Sequence, residues 1–259
     1  MGSRSEREPF LAIDVGNTSV SYGFFKNGRL FKKWRCYFSI IPEIDRYIIE
    51  SGSNTNSYKV VISSVNPKKL VKIEKYYARR SNRNNLLIIG SDIKPRIAHK
   101  YLNLNRLGKD RLVNIYGAIR WYKKPLLIIN FGTAITVDYI SKGGVFEGGL
   151  IIPGVETAWN ALQEKAALLP KIPLKDYRTL IGRNTEACMK AGSLQGFGAM
   201  VDGLIERFKK RYGRSFTVLA SGGLAKKVRP YVHYKLKVDQ DHTLKSIALV
   251  YRSYLNSKI

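Results

Sequence analysis

The sequence predicts an α/β chain built from two duplicated halves. The first observation behind this is a strand that ends in a glycine turn twice: Leu11-Ala12-Ile13-Asp14-Val15-Gly16-Asn17-Thr18 recurs as Leu127-Ile128-Ile129-Asn130-Phe131-Gly132-Thr133-Ala134. Each copy runs on into a β-branched stretch, residues 19–25 and 135–140. The second is that strand-length apolar runs alternate with patterns of helical spacing in both parts of the chain. Charge does not set the parts apart: residues 1–118 carry 22 basic and 9 acidic side chains and residues 119–259 carry 23 and 10, so each holds the same excess of +13 and no basic arm or tail accounts for it. A lone D-x-G-N-T reads equally well as a hairpin with a glycine turn. Its repetition favours a pair of turns whose free backbone N–H groups face an anion, such as a nucleotide's phosphates.

Each element follows from local pattern. Residues 10–15 and 20–25 read as strands, and Asn27-Gly28 turns the chain into a third at 30–34, an antiparallel start. Ile41, Ile44, Tyr47 and Ile48 share a helical face behind Pro42, and residues 60–62 form a buried strand. Pro67 opens a second helix with Leu70, Ile73 and Tyr77 on one side, and residues 86–89 are another strand. Residues 90–107 are loop-like. Leu112, Ile115, Tyr116 and Ile119 then mark a helix over 110–121. In the second half, 126–129 and 135–140 are strands, Lys142-Gly143-Gly144 turns, and the chain runs from Val145 through Gly148-Gly149 to Ile152. Pro153-Gly154 breaks that strand before a helix to about Lys165. Asn184 caps a long helix whose Gly192, Gly196, Gly198 and Gly203 imply a tight helix contact. Residues 216–220 are a strand ending at Ser221-Gly222-Gly223, and 243–254 form a closing helix.

Composition bounds the class of protein. The chain has 259 residues and 44% apolar content, enough for two modest cores. Cys36 and Cys188 make no disulfide framework, and neither has metal-ligand spacing to His99, His233 or His242. The polar start, residues 1–9, and the lack of a run near 18 apolar residues point to a cytoplasmic protein without a membrane span. The net charge of +26 raises the question of nucleic acid, but its even spread, in short runs such as Lys68-Lys69 and Lys209-Lys210-Arg211, fits solvated helix faces better than a binding arm.

Duplicated β-β-β-α-β-α units resemble the actin and sugar-kinase ATPase superfamily, whose plan implies two RNase H-like, actin-like ATPase domains facing an ATP cleft. Here they would be residues 1–120 and 121–259, with the closing helix near 243–254 packing back on the first. Five ordered motifs narrow the resemblance: Asp14-Val15-Gly16-Asn17-Thr18, Leu107-Gly108-Lys109-Asp110-Arg111, Phe131-Gly132-Thr133-Ala134-Ile135-Thr136, Gly148-Gly149-Leu150-Ile151-Ile152-Pro153-Gly154 and Ile181-Gly182-Arg183-Asn184-Thr185. In this order they resemble the type III pantothenate kinases over about residues 10–254.

The resemblance implies ATP-dependent phosphorylation of pantothenate to 4'-phosphopantothenate, the first step of coenzyme A synthesis. It assigns Asp14, Val15, Gly16, Asn17, Thr18, Ser19, Val20, Ser21 and Thr133 to ATP and its phosphates, and Asp14 to Mg2+. Asp110 would be the general base, with a helix cap as the bland alternative. Tyr101, Leu107, Gly108, Lys109, Asp110, Arg111 and Thr185 would bind substrate. Thr185 would come from the partner subunit of a homodimer, or else simply cap its helix. Ser221-Gly222-Gly223 resembles an adenosine-side loop. Three positions depart from the family: Asn130 replaces the Asp linked to a monovalent cation, potassium or ammonium; Leu104 replaces a proline after Asn103; and Glu147 replaces a neutral residue. The other readings of the same residues are a transcriptional or nucleic-acid-binding protein like the Bvg accessory factors, and a related small-molecule kinase.

Overall fold

The computed structural model describes residues 8–36, 41–50, 58–80, 85–213 and 215–256. Most of the polar start, residues 1–7, lies outside these. The chain divides into two compact units: one takes the residues up to Ile97, Leu102–Arg120 and the chain from His242 onward, and the other takes Ala98–Tyr101 and Trp121–Asp241.

The first unit is built on a five-stranded mixed sheet. Its strands are β1 (Phe10–Val15), β2 (Val20–Lys26), β3 (Arg29–Cys36), β4 (Lys59–Ser64) and β5 (Leu86–Ile88), in the order β3-β2-β1-β4-β5. β1 lies antiparallel to β2 and parallel to β4. Side chains of a strand alternate between faces, so β1 serves two cores at once. Leu11, Ile13 and Val15 pack with Ile44 and Ile48 of α1 (Ile41–Glu50) and with Ile73 and Tyr77 of α2 (Pro67–Arg80). Phe10 and Ala12 pack on the opposite face with Val113 and Tyr116 of α3 (Lys109–Trp121) and with Leu244, Ile247 and Tyr251 of the last helix, His242–Asn256. A buried polar contact supports that second layer, where His242 Nε2 lies 2.9 Å from the carbonyl oxygen of Asn114. The loop expected over 90–107 holds one 3-10 turn at Leu104–Arg106 and isolated β-bridges at Ile93 and His99.

The second unit repeats the plan. Strands β6 (Leu126–Phe131), β7 (Ala134–Ile140), β8 (Phe146–Pro153), β9 (Thr217–Ser221) and β10 (Lys237–Val238) lie in the order β10-β9-β6-β7-β8. β6 is antiparallel to β7 and parallel to β9. Read from the third strand of each set, β3-β2-β1-β4-β5 and β8-β7-β6-β9-β10 are the same order, so the duplication seen in the glycine turns extends to the whole sheet. Helices α4 (Val155–Lys165), α5 (Thr185–Tyr212) and α6 (Ala225–Val228) follow β8 and β9, and the last helix of the chain is α7. β10 and α6 escape sequence patterning because two and four residues are too short to show a period. One expectation needs correcting. Among the described residues, Gly198 alone of the four glycines of α5 sits in a tight contact, where a Cβ would lie 2.1 Å from the carbonyl of Tyr231; a Cβ on Gly192, Gly196 or Gly203 would meet none of them within 4 Å.

Candidate active site

The first glycine turn sits at the end of β1. Asp14 pairs in register with Ser21 on β2 and Ser63 on β4, and the Gly16 N–H donates to the Ser19 carbonyl at 3.0 Å. A Cβ on Gly16 would stand 3.0 Å from that same oxygen, a tight contact that favours glycine. Val15 and Val20 are buried in the core, so any contact they make with a ligand is through backbone. Asn17 and Thr18 form the exposed tip. Two basic residues from outside the motif hold the turn. The Lys69 ammonium, in the first turn of α2, donates to the carbonyls of Gly16 (3.3 Å) and Asn17 (2.6 Å), and Arg35 of β3 donates through Nε to Ser19 Oγ at 3.2 Å. Nothing in the sequence but their charge marks them; their roles follow from strand pairing and from the docking of α2.

Asp110 lies in the first turn of α3, in the same unit as Asp14. Its Oδ1 accepts the Arg111 N–H at 2.7 Å. It is the second residue of the helix, so it is not the cap. Gly108 makes room for it: a Cβ there would lie 2.6 Å from Asp110 Oδ1. Leu107 and Arg111 are buried, and the Lys109 stem packs where a Cβ on Gly90 would be, its ammonium donating to the Asn105 carbonyl at 3.2 Å. Burial pushes the Asp110 carboxyl above the usual carboxylate range, against the opposing pull of the Arg111 N–H and guanidinium. Asp14 is pushed up to about 7, first by burial and then by the Asp110 charge, with Arg35 pulling the other way. Two buried carboxylates, one raised in part by the charge of the other, are a donor set suited to a hydrated divalent cation. Among the described residues no cluster of three or more His, Cys, Asp or Glu side chains forms an all-protein metal cage. Mg2+ does not need one, because it keeps its waters and binds one or two carboxylates together with phosphate oxygens.

The second turn, in the second unit, is braced from three sides. Gly132 N–H donates to the Ala134 carbonyl at 3.2 Å, and the Thr133 carbonyl accepts from Gly154 N–H at 3.0 Å and Thr157 Oγ1 at 2.7 Å. Gly154 lies so close that a Cβ would sit 2.4 Å from the Gly132 and Thr133 carbonyls. Asn130 Oδ1 accepts the Ser221 hydroxyl at 3.1 Å. Gly222, at φ 88°, passes within Cβ-collision distance of that oxygen, and this position demands glycine. Directly across the ladder from Asn130, the buried Thr136 hydroxyl has no hydrogen-bond partner among the described residues. The set at this position is thus an amide and hydroxyls with no formal charge, and it does not fit a monovalent cation held by a carboxylate.

Of the remaining positions, Tyr101, Glu147 and Thr185 are in the second unit and Leu104 is in the first. Tyr101 stacks on Phe146 with ring centroids 5.5 Å apart. Its segment is tied to β8 by paired backbone bonds, Lys100 N to Phe146 O and Phe146 N to Ala98 O, both 2.9 Å. Glu147 now has a role, pairing with Lys100 at 2.9 Å beside that stack. Leu104 opens the 3-10 turn capped by Asn103, a first-turn position that a proline also suits, so the turn survives the exchange. Thr185 is the exposed first residue of α5 and does not cap it. Asn184 does, accepting the Ala187 N–H at 2.8 Å.

Comparison with known proteins decides the family. The family model described as type III pantothenate kinase matches residues 10–207. The chain belongs to the type III pantothenate kinase family. It is 35% identical over 249 residues to the type III pantothenate kinase of Brevibacillus brevis, covering 93% of this chain and 97% of that one. Among solved structures it is similar to a Baf family transcriptional activator from Campylobacter jejuni, with a TM-score of 0.59 and 17% identity over 95% of this chain and all of the other. It is also similar to the (R)-2-hydroxyglutaryl-CoA dehydratase component A of Acidaminococcus fermentans, with a TM-score of 0.55 and 13% identity over 97% of this chain. At these identities the structural likenesses speak to the fold alone: an α/β architecture of two similarly organised mixed sheets. No helix among the described residues is long and apolar enough to cross a membrane.

Proposed function

We propose that this chain phosphorylates pantothenate at the expense of ATP through Asp110 as general base. ATP-dependent pantothenate phosphorylation is the activity that family membership supports, and the observation that carries the mechanistic part is the Gly108-Asp110 pair. A primary alcohol is too weak an acid to ionise unaided at neutral pH. In its ionised form, a carboxylate raised above its ordinary range is a better acceptor for that proton than an exposed one. As the pantothenate hydroxyl oxygen forms its bond to the γ-phosphorus, its proton passes to the Asp110 carboxylate and the bond to the β-phosphate oxygen breaks, releasing ADP. Asp14 would hold Mg2+, which neutralises charge on the phosphate oxygens when bound.

The remaining roles complete the reading. The 14–21 turn and Thr133 take the nucleotide, and each half is read as one RNase H-like domain. Arg111 offers a guanidinium to the pantothenate carboxylate. Tyr101 and Thr185 complete the substrate site, Thr185 from a second copy of the chain. Exposed apolar side chains on the second unit support a homodimer: Leu150 and Ile151 on the edge strand β8, Leu168, and Leu180 and Ile181 just before α5 are each exposed. The test is ATP consumption over a panel of hydroxylated acids with and without pantothenate. Turnover that requires pantothenate supports the proposal, and equal turnover with another acceptor refutes it.

A further inference from the structure

The turn proposed to take the ATP phosphates brings no cation of its own. From Asp14 to Ser21 its residues are Asp, Val, Gly, Asn, Thr, Ser, Val and Ser, so the positive side chains that a polyphosphate calls for must come from outside the motif. Two cations of the same unit reach it, and they are used differently. Lys69 spends two of its three donors on the Gly16 and Asn17 carbonyls, which makes it a brace for the turn. Arg35 stands across the ladder from Ser21, is exposed, and commits only its Nε–H, to Ser19 Oγ at 3.2 Å. Among the described residues its two terminal amino groups have no hydrogen-bond partner. The Ser19 hydroxyl, accepting from Arg35, has its own proton free to donate elsewhere.

Basic side chains on an edge strand ordinarily discourage pairing with another sheet, and Arg29, Lys32 and Lys33 of β3 need no other explanation. Arg35 is set apart by its bond to the turn. We propose that Arg35 is a phosphate ligand, its terminal amino groups and the Ser19 hydroxyl it orients together binding the terminal phosphates of ATP. A planar guanidinium fork suits phosphate oxygens, and a guanidinium already fixed at Nε loses little freedom on binding them. The inference rests on the reading of residues 14–21 as the ATP turn, but not on the identity of the acceptor.

The experiment is equilibrium binding of ATP and adenosine to the unmodified chain, Arg35→Met and Arg35→Lys, with steady-state KM and kcat for ATP alongside. Arg35→Met should weaken ATP roughly tenfold to a hundredfold, the scale of losing charge-assisted hydrogen bonds to one group. Adenosine affinity should hold, and the KM for ATP should rise by more than kcat falls. Arg35→Lys should recover part of the loss, because it restores charge but not the fork. The proposal is overturned if Arg35→Met binds ATP as the unmodified chain does, if ATP and adenosine weaken in equal proportion, or if the unmodified chain binds no ATP. Selective loss of ATP in a chain that nonetheless leaves pantothenate unphosphorylated would support Arg35 and refute the acceptor.

Discussion

Gly108→Ala offers a sharp separation of catalysis from stability. The added Cβ would lie 2.6 Å from Asp110 Oδ1 and 3.6 Å from Val65 Cγ1. Only the first is a clash, and the atom it strikes is the free end of a side chain. Ordinary contact begins near 3.4 Å, so the carboxylate oxygen must retreat by about 0.8 Å, weakening its 2.7 Å bond from the Arg111 N–H. Gly108 precedes the first residue of α3, a cap position where alanine is disfavoured, so the stability cost should be about 1 kcal/mol. A displacement approaching 1 Å at a reacting group costs about a hundredfold in rate. We therefore expect kcat to fall by about two orders of magnitude while the melting temperature drops only a few degrees. The assay is a double-mutant cycle: kcat and thermal melts for Gly108→Ala, Asp110→Asn and the pair. If Gly108 acts through Asp110, adding Gly108→Ala to Asp110→Asn changes kcat little further. Near-normal turnover of Gly108→Ala, or an equal fall in both backgrounds, would refute the reasoning.

Asp110→Asn should lower turnover by roughly a hundredfold or more with little change in ATP affinity, measured by kinetics and by direct binding. Because a base must be ionised and burial raises the Asp110 carboxyl, turnover of the unmodified chain should fall with decreasing pH at a higher pH than an ordinary carboxylate would give; a profile flat down to pH 4 would exclude that role. Asp45 is buried and accepts the hydroxyls of Tyr58 (2.8 Å), Tyr76 (2.7 Å) and Tyr77 (3.4 Å), so Asp45→Ala removes the acceptor that three phenols share and should cost ~3 kcal/mol or more in chemical denaturation. Asn130 presents an amide oxygen already engaged by Ser221, so the unmodified chain should show no saturable potassium activation at fixed ionic strength, whereas Asn130→Asp should create it; activation at low potassium unchanged by the substitution would reject this.

What was legible in the sequence was whatever repeats or has a period. The two glycine turns identify the duplication because each strand must end where the backbone turns, and the close approaches at Gly16 and, with a positive φ, at Gly222 favour glycine. The strands of β1 and β6 were plain because burial on both faces writes a continuous apolar run. Asp110 was found through its neighbours Gly108 and Arg111, and the structure gives that spacing a cause, since the glycine vacates the volume that the carboxylate needs. The residues that escaped notice act across long separations. Arg35 meets Ser19 only because β3 returns beside β2, and Lys69 meets Gly16 only because α2 begins just after β4, the parallel neighbour of β1. A linear motif cannot contain either contact, because sheet pairing joins residues 16 and 53 positions apart in the chain. Glu147 makes the same case from the other side. Set against the family pattern it stood out as a departure, yet Lys100, brought to it by the parallel bridge between His99 and Phe146, gives it a partner at 2.9 Å. Both the hidden cations and the apparent anomaly therefore have one origin, the pairing of distant strands, so the charges around the two sites had to be found in three dimensions even though the motifs could be read in one.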